Sequence, residues 1–216
     1  MPTGIYKLKD GTLVPGTTTI MGAFKDSGGL VHWAWQQGKA GLDYRNTRDK
    51  AGERGTNVHD LAECYILDRM YEVPKDKIVL RTFNKFKDWW DTQEFEVVWT
   101  ERQMVSERYK YGGCPDLYVR QKSNNMFWLI DFKTGKRIYP DTVIQMGAYK
   151  NLIEETLHER VLHSAIVRLP KNNEDVDIKT FEEKDLNLGF KQFKNFRKAW
   201  NFNKKISELF EQKGKK

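Results

Sequence analysis

The segment MFWLIDFKT, Met126–Thr134, constrains the fold more than any other part of the chain. It is apolar enough to be a central β-strand, yet it carries Asp131 and Lys133. Charges in such a strand are costly to bury unless they face a site or a partner. Side chains alternate along a strand, so Asp131 and Lys133 share one face while Phe132 points to the other, into the core. The polar stretch QKSNN just upstream is turn chemistry, and Asp116–Arg120 before it supplies the other arm of a hairpin.

The surrounding pattern alternates between helix and strand. VPGTTTIMGAF has a Pro-Gly turn and threonines that can cap a short first helix. In GGLVHWAWQQGKAGL, Leu30, Trp33, Ala34 and Leu42 define one face of a second helix, which predicts that Trp33 and Trp35 sit in or at the edge of the core. A third helix is predicted over Asp49–Asp68, with Val58, Leu61, Ala62, Tyr65 and Ile66 on its packed side, and a fourth over Asp76–Trp90 through Ile78, Leu80, Phe83, Phe86 and Trp90. From Glu94 the β-branched and aromatic residues of EFEVVWTERQMVSERYKYGG predict strands. After the hairpin come a helix over Asp141–Leu157, an apolar strand over His163–Leu169, a loop PKNNEDVD and a long closing helix. Its stripe of Phe190, Phe193, Trp200, Ile206 and Phe210 is expected to cover the sheet, with fraying at the terminal GKK.

No repeat or linker divides the chain, so 216 residues are expected to form a single α/β domain with a mixed sheet flanked by helices. Within it, residues 1–93 would be mainly helical, 94–170 would hold the sheet and a helix, and 171–216 the last loop and helix. A net charge of +7 with a pI near 9.2 favours a polyanionic partner. The 12 Phe, 9 Tyr and 7 Trp supply ample core, so the mean hydropathy of −0.73 reflects charged surface, not disorder. No apolar run approaches the ~18 residues of a membrane span. The opening MPTGIYKLKDG lacks the apolar core of a secretory leader. A cytoplasmic protein without membrane association is expected, in the host cytoplasm if viral. Cys64 and Cys114 are too few for a four-thiolate cluster and are expected to be small buried thiols.

Carboxylates beside a lysine suit phosphodiester hydrolysis, which needs a polarised phosphate, an activated water and neutralisation of developing charge. The segment CPDLYVRQKSNNMFWLIDFKTGK resembles the PD-(D/E)xK nuclease signature, with Pro115 and Asp116 as the PD and Asp131 to Lys133 as the D-x-K. Upstream, Gly55-Thr56-Asn57-Val58-His59 matches the GxxxH element of the RecB-like exonuclease group. Downstream, Gln145-Met146-Gly147-Ala148-Tyr149 matches its QxxxY element. The blocks fall in the family's order. VPGTTTIMGAF and GLVHWAW loosely resemble the start of phage-type members.

The resemblance implies a restriction-endonuclease-like core and a magnesium- or manganese-dependent deoxyribonuclease using one or two ions. The ligands would be His59, Asp116, Asp131 and the carbonyl of Phe132, with Glu63, one turn beyond His59, as a further ligand or support. Lys133 would orient or deprotonate the attacking water, while Gln145 and Tyr149 position the DNA backbone or Lys133. Tyr111, Lys136 and Arg137 join Gln145 and Tyr149 as substrate-contacting candidates, and Glu101 is a candidate acid at the sheet edge. Tyr109, Tyr111 and Trp35 are candidates for stacking on unpaired bases. His32, His158 and His163 are expected to be structural.

No iron–sulfur cluster is expected, since the four cysteines of some relatives are missing. An exonuclease on single-stranded or end-resected DNA is expected, serving recombination or repair alongside a helicase, recombinase or single-strand-binding partner. A structure-specific endonuclease or nickase and an inactive DNA-binding module are the alternatives, and RNA is equally readable by a site that recognises phosphate.

Overall fold

The computed structural model describes residues 4–214. Among these, nine strands and six helices follow in the order β1 (Tyr6–Lys7), β2 (Leu13–Val14), α1 (Thr17–Gly22), α2 (Gly28–Lys39), α3 (Tyr44–Ile66), α4 (Lys77–Trp90), β3 (Phe95–Thr100), β4 (Met104–Ser106), β5 (Tyr111–Gly113), β6 (Leu117–Gln121), β7 (Phe127–Lys133), α5 (Asp141–Leu157), β8 (His163–Arg168), β9 (Asp177–Glu182) and α6 (Glu183–Gly214). No helix among them is long and apolar enough to cross a membrane. Lys215 and Lys216, where fraying is expected, lie outside the described residues.

The central sheet has the order β3-β6-β7-β8-β9. Every neighbouring pair is antiparallel except β7 and β8, which run parallel. A parallel pair needs a crossover, and α5 supplies it. This mixed five-stranded sheet flanked by helices is the architecture expected, consistent with a restriction-endonuclease-like core. The β6–β7 hairpin turns through Asn124, whose side chain accepts from Met126 N at 2.9 Å, and Asn125 at φ 58°, a conformation asparagine tolerates.

The period-two alternation sorts the sheet onto two cores. Leu117, Val119, Ile130, Phe132, Ala165 and Val167 face α3 and α4, meeting Val58, Ala62, Val79, Phe83 and Phe86. Tyr118, Leu129 and Ile166 face the other way, toward Met146, Tyr149 and Leu152 of α5 and Leu186 and Phe193 of α6. Helices α5 and α6 cross so closely that a Cβ on Gly147 would lie 2.3 Å from Phe190 N. Asp76 caps α4 by accepting from Ile78 N at 2.8 Å.

Three expectations fail here. Helix α2 forms, but Leu30, Val31, Trp35 and Leu42 are exposed, Trp35 by 57%. It meets α3 through Trp33, packed edge-on against Tyr44, and through Gln37, which accepts from Thr47 Oγ1 at 3.3 Å, so among the described residues no layer lies over the rest of its apolar face. The stripe of α6 covers the core only as far as Phe190, Phe193 and Trp200; Ile206 and Phe210 are 62% and 80% exposed. At about 1.5 Å per residue, α6 outruns its partner α5 by roughly 20 Å. Finally, Asp177–Glu182 is an edge strand, where the sequence had pointed to a loop running into helix.

Candidate active site

The site lies where the hairpin ladder stops. β6 and β7 pair only as far as Leu117 with Ile130, which leaves the next inward-facing amide of β7, Phe132 N–H, without a strand partner. Asp116, one residue before β6, takes that place: its Oδ2 accepts from Phe132 N at 2.8 Å. Asp131 and Lys133 share the face of Leu129, on the α5 side, while Phe132 joins the opposite core. They open into a cavity of about 540 Å³ whose walls also include His59, Glu101, Gln145 and Tyr149.

Helix α3 brings His59 over the sheet edge, its ring edge-on to Phe132. Its Nδ1 lies 3.5 Å from Asp116 Oδ2 and 4.0 Å from Glu101 Oε1. Ligand atoms of His59, Glu101 and Asp116 all fall within 4.8 Å of one another. Glu101 arrives from the end of β3, past a register shift between Val97 and Trp99, and its backbone sits at φ 43°. A left-handed glutamate is strained, and it is held there by Glu101 N–H donating to Asp116 O at 2.8 Å. The strain aims the carboxylate at the histidine.

On the other side, Lys133 Nζ forms an ion pair with Asp131 Oδ2 at 2.6 Å. Gln145 Nε2 donates to Asp131 Oδ1 at 3.1 Å and to Tyr149 Oη at 3.0 Å. The amide thus fixes Asp131 from below. Gln145 and Tyr149, one helical turn apart on α5, are both buried.

The electrostatics are those of crowded, desolvated acids. Burial and then the charge of Asp131 push the Asp116 carboxyl well above its usual range. Burial and then Asp116 raise Glu101 from 4.5 to about 7. Burial pulls Lys133 down, but Asp131 and Asp116 more than offset this, so it is held protonated. Burial lowers His59 and keeps its imidazole neutral. Its Nδ1 is buried without a hydrogen-bond partner among the described residues. A neutral imidazole nitrogen facing two carboxylates that repel one another is a donor set that a divalent cation would satisfy, and its oxygens suit magnesium or manganese.

Of the residues singled out from sequence, the fold brings His59, Asp116, Asp131, Phe132, Lys133, Gln145 and Tyr149 to this one cavity. Glu63 stands in an adjoining recess, accepting from Thr100 Oγ1 at 3.1 Å, outside the His59, Glu101 and Asp116 cluster. Arg137 lines a neighbouring cavity of about 260 Å³ that shares Lys133 and Gln145 with the first. Lys136 is exposed, beyond both linings. Tyr111 is a correction: it is fully buried, donating to Ala148 O at 2.8 Å, so it reaches neither substrate nor base. Tyr109 is half-buried against Phe190.

Glu101 is the residue the sequence undervalued. Its signal was there, an acid at the strand end shortly before the PD, but Glu63 looked better placed on helical spacing alone. Cys114 also lines the cavity, its Sγ 3.5 Å from Glu101 Oε2 and its thiol pushed up to about 12, so it remains protonated.

No family model matches the chain, and neither does any curated protein. Among solved structures it is similar to a protein of Eubacterium rectale described as a "Putative exonuclease", at 11% sequence identity and a TM-score of 0.42. The match covers 79% of this chain and 64% of that one, just under two thirds of the neighbour's length. A likeness that distant carries no argument about activity, which has to come from the site itself.

Proposed function

We propose that this chain is a divalent-metal-dependent deoxyribonuclease, acting as an exonuclease on single-stranded or end-resected DNA. The observation that carries the reading is the pairing of two half-sites in one cavity. One is the His59, Glu101 and Asp116 cluster with its partnerless imidazole nitrogen; the other is the Asp131–Lys133 ion pair steadied by Gln145.

His59, Glu101 and Asp116 would hold the ion, with Asp131 and the carbonyl of Phe132 next to them. In an extended strand a residue's carbonyl projects to the same side as its N–H, and Phe132 N–H points at Asp116. The bound ion supplies a Lewis acid for the phosphoryl oxygens. Lys133, held protonated and partly exposed to the cavity, places a positive charge where a phosphate's negative charge builds up, and donates to the attacking water to orient it. Asp131 keeps Lys133 in place and is itself kept in place by Gln145. Arg137 in the adjoining cavity extends positive charge along the same opening, suited to the strand's neighbouring phosphates.

The decisive experiment is degradation of end-labelled single-stranded and duplex DNA, beside a closed circle, in magnesium or manganese. Loss of label from linear DNA, an intact circle, and silence of Lys133→Ala are expected. Cutting of the circle would turn the reading to an endonuclease or nickase. DNA that is bound but never cut, equally by wild type and Asp131→Ala, would turn it to a binding module.

A further inference from the structure

Away from the catalytic cavity, the turn between β4 and β5 and the middle of α6 enclose a groove of about 340 Å³. Its walls carry Arg108, Lys110, Lys194, Arg197 and Lys198. None of the five forms an ion pair among the described residues. The acids nearby are hydrogen-bonded to neutral donors and not to these five side chains. Glu155 accepts from Ser106 Oγ at 2.6 Å and Arg108 N at 3.0 Å, Glu107 accepts from Lys9 N at 2.8 Å, and Asp10, which feels the charge of Lys110, is bonded to Thr12 N at 2.9 Å.

The groove is built, not a loose scatter of lysines. Arg197 Nε donates to the carbonyls of Tyr109 and Lys110 at 3.1 and 3.0 Å, tying helix to turn, and Lys110 sits at φ 56°. The Tyr109 ring, packed on Phe190 with Arg108 over its face, forms a stiff wall. β5, buried along its length, spans the protein between the groove and the catalytic cavity. From Lys110 on the groove to Cys114 on the cavity wall is about 13 Å of extended chain, close to four base-pair rises of duplex.

We propose that this groove is a second, non-catalytic binding site for the phosphate backbone of a nucleic acid, gripping the same strand that enters the catalytic cavity. The identity of the ligand rests on the nuclease reading; the unpaired charge and the groove do not. A concave, basic slot fits a strand better than the flat face of an anionic bilayer.

The test is the salt dependence of oligodeoxynucleotide binding, followed by fluorescence anisotropy with EDTA present so that nothing is cut. Wild type is compared with Lys194→Gln/Lys198→Gln, two exposed helix positions whose loss leaves the fold intact by circular dichroism. Lys75→Gln/Lys77→Gln, removing the same charge outside both cavities, is the control. Each phosphate contact contributes about 0.7 to the logarithmic salt slope on single strands, so the groove variant should lose about 1.4 and the control nothing. The loss should show on a long oligonucleotide and vanish on one too short to leave the catalytic cavity.

An unchanged slope, an equal loss in the control, or no binding by wild type overturns the proposal. So does a groove variant that keeps its DNA binding but loses binding to phosphatidylserine vesicles. A wild type that shows the slope difference yet never cuts DNA with magnesium or manganese retains the groove and removes the nuclease. One that cuts while the groove variant keeps its slope does the reverse.

Discussion

Replacing Glu101 by glutamine should make the metal-free protein more stable and the metal-loaded protein less so. In the fold the Glu101 carboxyl is desolvated and faces Asp116, which lifts it from 4.5 to about 7. A group whose folded value is raised contributes stability that is complete below its unfolded value and lost as pH rises through the folded one. The wild type is therefore penalised progressively between pH 4.5 and about 7. The full difference corresponds to about 3 kcal/mol. The side chain is 24% exposed, so solvent screening reduces this to about 1–2 kcal/mol, or about 2–8 °C in Tm for a chain of this size. Thermal melts in EDTA at pH 5 and pH 8 provide the assay. The Glu101→Gln protein should lie close to wild type at pH 5 and exceed it clearly at pH 8. Adding manganese at pH 8 should raise wild type and leave the variant nearly unmoved. A variant no more stable than wild type at pH 8, or equally stabilised at both pH values, would refute the argument from crowded acids.

Gln145→Leu removes the amide that holds Asp131, and loss of such a supporting hydrogen bond should lower metal affinity or cleavage rate about 10–100-fold with the fold unchanged, read by calorimetry and single-turnover kinetics. Gly147→Ala drives a Cβ into the backbone of Phe190 across the α5–α6 crossing, and should lower stability by about 1–3 kcal/mol in urea melts. Asp76 is held below its ordinary value first by the hydrogen bond from Arg54 and then by Ile78 N, so its contribution is present above pH 3.8 and lost as pH falls through the folded value. Asp76→Ala should therefore lower the urea midpoint at neutral pH, with the gap from wild type closing in acid.

Much of the site was legible because its residues obey local periodicities. Asp131 and Lys133 alternate with Phe132 on β7, and Gln145 and Tyr149 repeat at one turn of α5, so each pair's shared face follows from spacing alone. The gap between the pairs is a matter of topology, and the apolar strand followed by a helix and another apolar strand supplied it. Glu101 was harder, since its direction depends on a register shift in β3 and a left-handed backbone that no spacing encodes. Conversely, Glu63 has the right helical spacing from His59, but Thr100 takes its carboxylate. For α2 and α6 the apolar periodicity announces a face without saying whether anything covers it. β9 stayed hidden because, as an edge strand, only Ile178 and Phe181 give it apolar character.

His59, Glu101 and Asp116 should converge on one hard cation beside the Asp131–Lys133 pair. Manganese titration followed by electron paramagnetic resonance tests it most directly, on wild type and on His59→Ala and Asp116→Asn. Saturable binding by wild type that weakens at least tenfold in both variants is the predicted result. Equal binding by all three proteins, or none by wild type, would contradict it.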